Sequence, residues 1–305
     1  MNLRAQIVGA AVADNSVKEL SPHTANTGLR TTGLRHRTLD VSAQDRLAEV
    51  FLLNTRLRRD DVDTNLSIAD YFTDEAMVML SLNGERSQSA GSIPLPKPAP
   101  LRKKLDDALR ERRSVRRFTG AGIELEMLAA LLASAGGITG STKAQLSDGS
   151  FREILFRAAP SGGGLYPVEF YVAAPRVKGL DAGSVYRYAP RHRSLVEMFN
   201  DRKRVDDLFG AFAVDENLIN VSQCAAVIYL VATPWRSMRK YGPRGMRFVF
   251  MEAGYASQNV HLAATALGCG STDCGAVYDD VHSALGLDGQ FQALVHTIVI
   301  GMQAV

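Results

Sequence analysis

The chain has 305 residues, with 35 Lys and Arg against 32 Asp and Glu and a net charge of +3, too balanced for a dedicated nucleic-acid binder with one concentrated basic face. Apolar residues make up 46% of it, enough for a sizeable core in one large domain plus an appendage. Three cysteines without CxxC spacing, Cys224, Cys269 and Cys274, exclude a disulfide framework and fit a reducing cytoplasm.

Near the start, IVGAAVA has the length of a signal h-region, but a poor n-region precedes it and Asp14 ends it, so export is not expected. About the first forty residues are rich in Thr and Arg without strong periodicity. AQDRLAEVFLLNTRLRR and SIADYFTDEAMVMLSL carry apolar residues at helical spacing and predict two amphipathic helices. From Asn83 to Lys104 the composition turns to Gly, Ser and alternating Pro, the mark of an extended connection. The chain therefore divides into an N-terminal helical extension with a Pro-rich linker, 1–98, and a main domain, 99–305.

In the main domain, LRKKLDDALRERR predicts a helix that yields to an extended SVRRF. IELEMLAALLASAGG places Leu125, Leu128, Leu131, Leu132 and Ala135 on one helix face and stops at Gly136-Gly137. A loop follows, then VEFYVAA as a strand and SVYRYAPRHRSLVEMF as a hairpin turning at Pro190-Arg191-His192. CAAVIYLVAT and LVHTIVIG are apolar, β-branched runs, the pattern of buried strands. The longest such run is far short of a bilayer span, and no membrane segment is expected. Between them, RFVFMEAGYASQNVHLAATALG predicts a long, small-residue-rich helix ended by Gly268 and placed centrally. The expected class is α+β, with helices packed on a mainly antiparallel sheet around that long helix.

Four loops carry the candidate chemistry. PSGGGLYP holds three glycines between two prolines. A P-loop needs G-x-x-x-x-G-K-[ST], and no lysine follows here. A dinucleotide-binding turn needs G-x-G-x-x-G before a helix, but Pro167 takes the third glycine position and a strand follows. What remains is either a tight turn without ligand or bare backbone that something flat or bulky approaches, with Ser161 as a polar anchor. In RRSVRRF, alternation puts Arg112, Ser114 and Arg116 on one side of an extended chain. Two guanidiniums flanking a hydroxyl suit a phosphate monoester, and equally a solvated basic edge.

In RSMRKYGPRGMRF, Lys240 and Tyr241 stand among Arg236, Arg239, Arg244 and Arg247. Like charge lowers a lysine pKa and stabilises a phenolate, so both groups are expected to shift towards neutrality and serve as bases; the bland alternative is a charged surface loop. LGCGSTDCGAVYDD exposes backbone at Gly268, Gly270 and Gly275. With no second cysteine pair or nearby histidine, Cys269 and Cys274 read as buried thiols, and no metal is expected. His261, inside the long helix, reads as a packing histidine, and His192, His282 and His296 are scattered.

RRSVRRF, PSGGGLYPVEFY, KYGPRG, EAGYASQNVHLAATALGCGSTDCGAVYDD and VHTIVIG occur in that order from about Leu101 to the C-terminus. Together they resemble the nitroreductase-like flavoproteins, and are most similar to the SagB-type azoline oxidases, the dehydrogenase subunits of thiazole/oxazole-modified microcin synthetases. The resemblance implies a nitroreductase-like fold over 99–305, with FMN bound at a homodimer interface. It implies that Arg112, Ser114 and Arg116 bind the flavin near the N-terminal edge of the domain, and that Pro160, Ser161, Gly162 and Gly163 lie against the isoalloxazine. Gln258 and Asn259 match the family's QN, and Gly270 to Gly275, Ser271 included, match the segment over ring and phosphate. Lys240-Tyr241 matches a pair that azoline oxidases carry and ordinary nitroreductases lack. One departure is that many nitroreductases place a basic residue after the last strand; IVIGMQAV has none, so the earlier arginines must supply that charge. The chain also stops soon after that strand, so a dimer is expected but not an arm-exchanged one.

On this resemblance the chain oxidises peptide azolines to thiazoles or oxazoles in the maturation of ribosomally made, post-translationally modified peptides. Lys240 or Tyr241 takes a proton, the FMN takes a hydride, and molecular oxygen reoxidises the flavin. Cyclodehydratase partner proteins and a peptide substrate follow from it, with 1–98 free to bind either. Two other readings stay open: a nitroreductase or flavin reductase using NAD(P)H, and a flavin-bearing scaffold subunit of a synthetase complex.

Overall fold

The computed structural model describes residues 51–57, 66, 91–145 and 149–304. Residues 51–54 are helical, as the first amphipathic pattern predicts; the rest of the N-terminal extension lies outside the described residues. All elements named below belong to one compact unit, Arg58–Val305.

The linker ends in a short strand, β1 (Ser92–Pro94), and is followed by the helices α1 (Leu105–Glu111) and α2 (Leu125–Gly136). Next come β2 (Ile138–Gln145), β3 (Phe151–Arg157), β4 (Val168–Ala173), β5 (Ser184–Ala189) and β6 (Ser194–Asn200). Then follow α3 (Arg202–Gly210), β7 (Ala226–Ala232), α4 (Trp235–Tyr241) and the long α5 (Gly245–Leu267). The chain closes with β8 (Gly270–Asp273), α6 (Val281–Leu285) and β9 (Ala293–Gly301).

Seven strands form one sheet in the order β1-β6-β5-β4-β7-β9-β8, with every pair antiparallel. Both faces are covered by helices, which explains why β4 and β7 read as continuous apolar runs. Strand alternation divides their side chains. Phe170 and Val172 of β4 join Leu128, Leu131 and Leu132 of α2 and Val249, Ala253, Ala256 and Val260 of α5 in one core. Tyr171 and Ala173 face the other way, with Val205 and Leu208 of α3 and Val281 and Leu285 of α6. The long helix is central because small residues on its inner face let it lie close to the sheet, and Gly268 ends it in the left-handed conformation at φ 73°.

Two elements differ from expectation. The segment after α2 is no loop: β2 and β3 pair as a separate two-stranded ribbon. Residues 139–143 are exposed, so no apolar alternation marks the strand in ITGSTKAQ. The charged stretch before α5 is also not a surface loop. It folds as α4, and Lys240 near its end is only 5% exposed.

Candidate functional site

The glycine loop is a 3₁₀ turn, Gly162–Gly164, in which Gly163 has φ 70° and ψ 12°. Its polar frame comes from its neighbours. The Ser161 hydroxyl accepts the Tyr166 amide at 2.9 Å, and the Tyr166 hydroxyl accepts the Arg157 amide at 2.9 Å. Arg236 on α4 donates to the Tyr166 carbonyl at 3.1 Å and to the Glu169 carboxylate at 2.7 Å. That ties α4 to the loop, and α4 in turn carries Lys240 and Tyr241.

A Cβ built on Gly163 would stand 2.6 Å from the Tyr241 hydroxyl and 3.0 Å from Lys240 Nζ, and one on Gly162 would stand 3.0 Å from Phe248. The structure thus brings PSGGG and KY, separated by some seventy residues of chain, into contact. Only glycine permits this approach. Lys240 Nζ also lies 5.4 Å from the centre of the Tyr241 ring, whose edge meets Phe248 with centroids 4.8 Å apart. Burial lowers the Lys240 pKa. The direction is the expected one, but the cause is desolvation and not the neighbouring arginines: Arg236 is neutralised by Glu169 and Arg239 is exposed.

The second group of candidate residues gathers around β8. Ser114 bridges to Ser271, with the Val115 amide donating to the Ser271 carbonyl at 3.0 Å. A Cβ on Gly270 would fall 2.5 Å from Val115, so this glycine seats the Arg112–Arg116 segment against the sheet. Arg113 and Arg117 spend their guanidiniums on backbone carbonyls. Arg112 and Arg116, on the other side of the extended segment, form no ion pair among the described residues, and the Ser114 side is exposed. Pro160 and Gly275 are exposed as well. Asn259 instead donates to the Ser134 carbonyl at 3.0 Å, fastening α5 to α2.

Gln258 lines a cleft of about 240 Å³ with Phe250, Gly254, His261, Asp273 and His296. Here lies a cluster that sequence reasoning missed. Asp273 Oδ1 receives Ser257 at 2.6 Å, His261 Nε2 at 2.9 Å and His296 Nε2 at 2.7 Å, and His261 Nδ1 meets the Ser271 hydroxyl at 2.8 Å. The residues come from α5, β8 and β9, so only the fold unites them; the sole hint in the chain was a helix-borne histidine. Partial burial pushes the Asp273 carboxyl up, but hydrogen bonds from His261, His296 and Ser257 outweigh it and hold the group well below the usual carboxylate range.

Asp273→Asn should cost about 1–2 kcal/mol in urea unfolding, since donors lose their anionic acceptor while water reaches half the side chain. A lowered carboxyl stabilises above its unfolded value of 3.8 and loses that contribution as pH falls. The gap between wild type and variant should therefore close in acid, and a constant gap would contradict this account.

Helix geometry keeps the two groups apart. At 3.6 residues per turn, Phe248 and Glu252 share the α5 face that meets the glycine loop, whereas Phe250, Gly254, Gln258 and His261 lie on the opposite face.

A model of the nitroreductase family matches residues 109–302. The chain belongs to the nitroreductase family. It is 35% identical over 178 residues to a Methanocaldococcus jannaschii protein that carries the nitroreductase name, spanning 58% of this chain and 81% of that one. It is 31% identical over 151 residues to the trifolitoxin-processing protein TfxB of Rhizobium leguminosarum bv. trifolii, spanning 48% of this chain and 40% of that one. A Ralstonia eutropha structure bearing the nitroreductase name aligns at TM-score 0.56 and 22% identity, over 72% of this chain and 93% of that one. A chain from the Escherichia coli microcin synthetase McbBCD complex with truncated pro-MccB17 bound aligns at TM-score 0.51 and 18% identity, over 85% and 93%. At these identities the two solved structures share the fold.

Nitroreductase-family proteins typically bind flavin, and the residues present suit one. Arg112 and Arg116, which form no ion pair among the described residues, flank an exposed hydroxyl, an arrangement that suits a phosphate monoester. The glycine loop offers bare backbone, and a Cβ on Gly164 or Gly275 would meet open space. Cys224 and Cys269 are buried, which raises their thiols to about 12 and about 11 and leaves them unreactive. No helix among the described residues is long and apolar enough to cross a membrane.

Proposed function

We propose that the chain is an FMN-dependent dehydrogenase that oxidises peptide azolines to azoles during the maturation of ribosomally made peptides. The observation that carries this reading is the packing of Lys240 and Tyr241 directly on the glycine loop, where bases for a carbon acid are needed beside a flavin shelf. The similarity to a trifolitoxin-processing protein and the shared fold with a microcin synthetase chain support it.

Forming the aromatic ring removes a proton and a hydride from adjacent azoline carbons, and bound FMN supplies the hydride acceptor. The chain's residues supply the rest. Arg112, Ser114 and Arg116 would hold the phosphate, with no basic residue after β9 to help. Pro160 to Gly163 would present backbone to the ring, with Gln258, Gly270, Ser271 and Gly275 bordering the other side of α5; Asn259 would act by holding α5 in place. Lys240, its pKa lowered by burial, takes the proton at Nζ, and the Tyr241 hydroxyl beside it orients or shares that proton.

Because the two groups occupy opposite faces of α5, the flavin site is completed by a second copy of the chain, a homodimer that contributes loop and Lys-Tyr pair from one protomer and the arginine segment from its partner. The main domain runs from 99 to 305, in the cytoplasm, and 1–98 serves a peptide or a cyclodehydratase partner.

Mass spectrometry of an azoline-bearing peptide incubated with the flavin-loaded protein should show loss of two hydrogens per ring. A second reading, a nitroreductase or flavin reductase, draws on the Methanocaldococcus relative. It expects no mass change and rapid bleaching of the flavin on adding NADPH.

A further inference from the structure

The α5 face that meets the glycine loop carries a single carboxylate. Glu252 is 4% exposed, and its Oε1 accepts the Val168 amide at 3.2 Å where β4 begins. The Ser161 hydroxyl also hydrogen-bonds this carboxyl, while its oxygen accepts the Tyr166 amide. Glu252 thereby holds both ends of the turn that runs from Ser161 to Val168. Its Oε2 is buried with no hydrogen-bond partner among the described residues, an arrangement costly enough to require a reason.

The fields of Arg157 and Arg236 reach this carboxyl. Arg157 ends β3, Glu169 lies on β4, and Arg236 on α4 pairs with Glu169; Lys240 closes the far side of the loop at Gly163. Burial raises the Glu252 carboxyl to about 7, against hydrogen bonds from Ser161 and Val168 and the fields of Arg157 and Arg236. Proton exchange therefore falls in the neutral range. The carboxylate accepts from Ser161 and Val168 with charge-assisted strength, whereas the acid accepts more weakly and adds an O–H for which no acceptor is at hand.

We propose that Glu252 is the positioning residue of the glycine loop, fixing Gly162–Gly164 in the shape that meets Lys240 and Tyr241, and fixing it more firmly as the carboxylate than as the acid. The effect on cofactor rests on the flavin reading above; the hold on the loop does not.

Amide hydrogen exchange on the full-length chain without flavin, from pH 6 to pH 8 and corrected for intrinsic rates, reads the hold directly. Protection from Gly164 to Val168 should rise about tenfold over that range, the worth of one strengthened hydrogen bond. Glu252→Gln should abolish the rise, whereas Ser161→Ala, which leaves the Val168 amide on Glu252, should keep it at Val168; if Glu252→Gln does not fold, the wild-type pH profile decides. A wild-type loop without the rise, or a Glu252→Gln variant that keeps it, overturns the proposal. A parallel titration with FMN, followed by flavin fluorescence, should tighten several-fold with pH in the wild type and stay flat in Glu252→Gln. Loop protection that responds to pH in a chain that binds no FMN upholds the positioning role and refutes the flavin reading. FMN binding that ignores pH while the loop responds refutes the role in cofactor positioning.

Discussion

Lys240→Ala combined with Tyr241→Phe should lower azoline dehydrogenation by about 10²–10⁴-fold, the contribution of a positioned general base, and leave FMN bound. Lys240 has the features the role demands. Its side chain is buried at the end of α4, its Nζ faces the glycine loop, and burial makes the neutral, proton-accepting form more available than on an exposed lysine. Single variants separate the two residues: a lysine base makes the rate climb with pH towards a pKa below 10.5, and Lys240→Ala should erase that climb while Tyr241→Phe keeps it. The measurement is kcat/KM against pH on a synthetic azoline peptide, with flavin content read from the visible spectrum. Full activity in the double variant removes both residues from the mechanism.

Gly163→Val should damage the site from the opposite side. A left-handed backbone costs an L-residue about 1–2 kcal/mol, and Gly163 has φ 70°. That strain alone predicts a fall in Tm of about 2–8 °C for a domain of this size. The new side chain must also displace Tyr241 and Lys240, the groups that would lie 2.6 and 3.0 Å from its Cβ, so activity should fall at least as far as in the double variant. Gly164→Ala is the matched control. It has nearly the same backbone, φ 67°, but open space around its Cβ. It should lose stability to a similar degree and keep most of the activity; equal activity losses in both would show that strain and not the Tyr241 contact is at issue.

Much of the fold was legible because burial on both sheet faces leaves a strong mark: β4, β7 and β9 stand out as apolar runs, α2 and α5 as periodic ones with glycine ends. The hairpin of β5 and β6 was legible in its turn, where His192 and Arg193 close back on Ala189 and Pro190. The ribbon was not, because neither face of β2 enters a core. The α4 helix was hidden by its charges, the three basic groups Arg236, Arg239 and Lys240, of which Arg236 pairs with Glu169, an acid some seventy residues earlier. Loops PSGGG and KY were each visible as candidates, but their contact was not, and neither was the meeting of His261, Asp273 and His296. Nor could the chain reveal that Glu252, in the same helical motif as Gln258, faces the other way.

The two margins of the main sheet also bear on how a peptide can be engaged. One margin is taken by β1, whose Pro94 has no N–H to offer, and the other by β8, where the Ser114 segment already occupies Ser271. Backbone annealing of a guest strand is therefore hindered along β1 and at Ser271, while β6 runs on past its pairing with β1, from Glu197 to Asn200. Among the described residues the β2–β3 ribbon pairs with no third strand, and Phe151 and Phe156 on β3 stand out into solvent. A guest strand added to this domain would find its longest run of unpaired backbone on that ribbon.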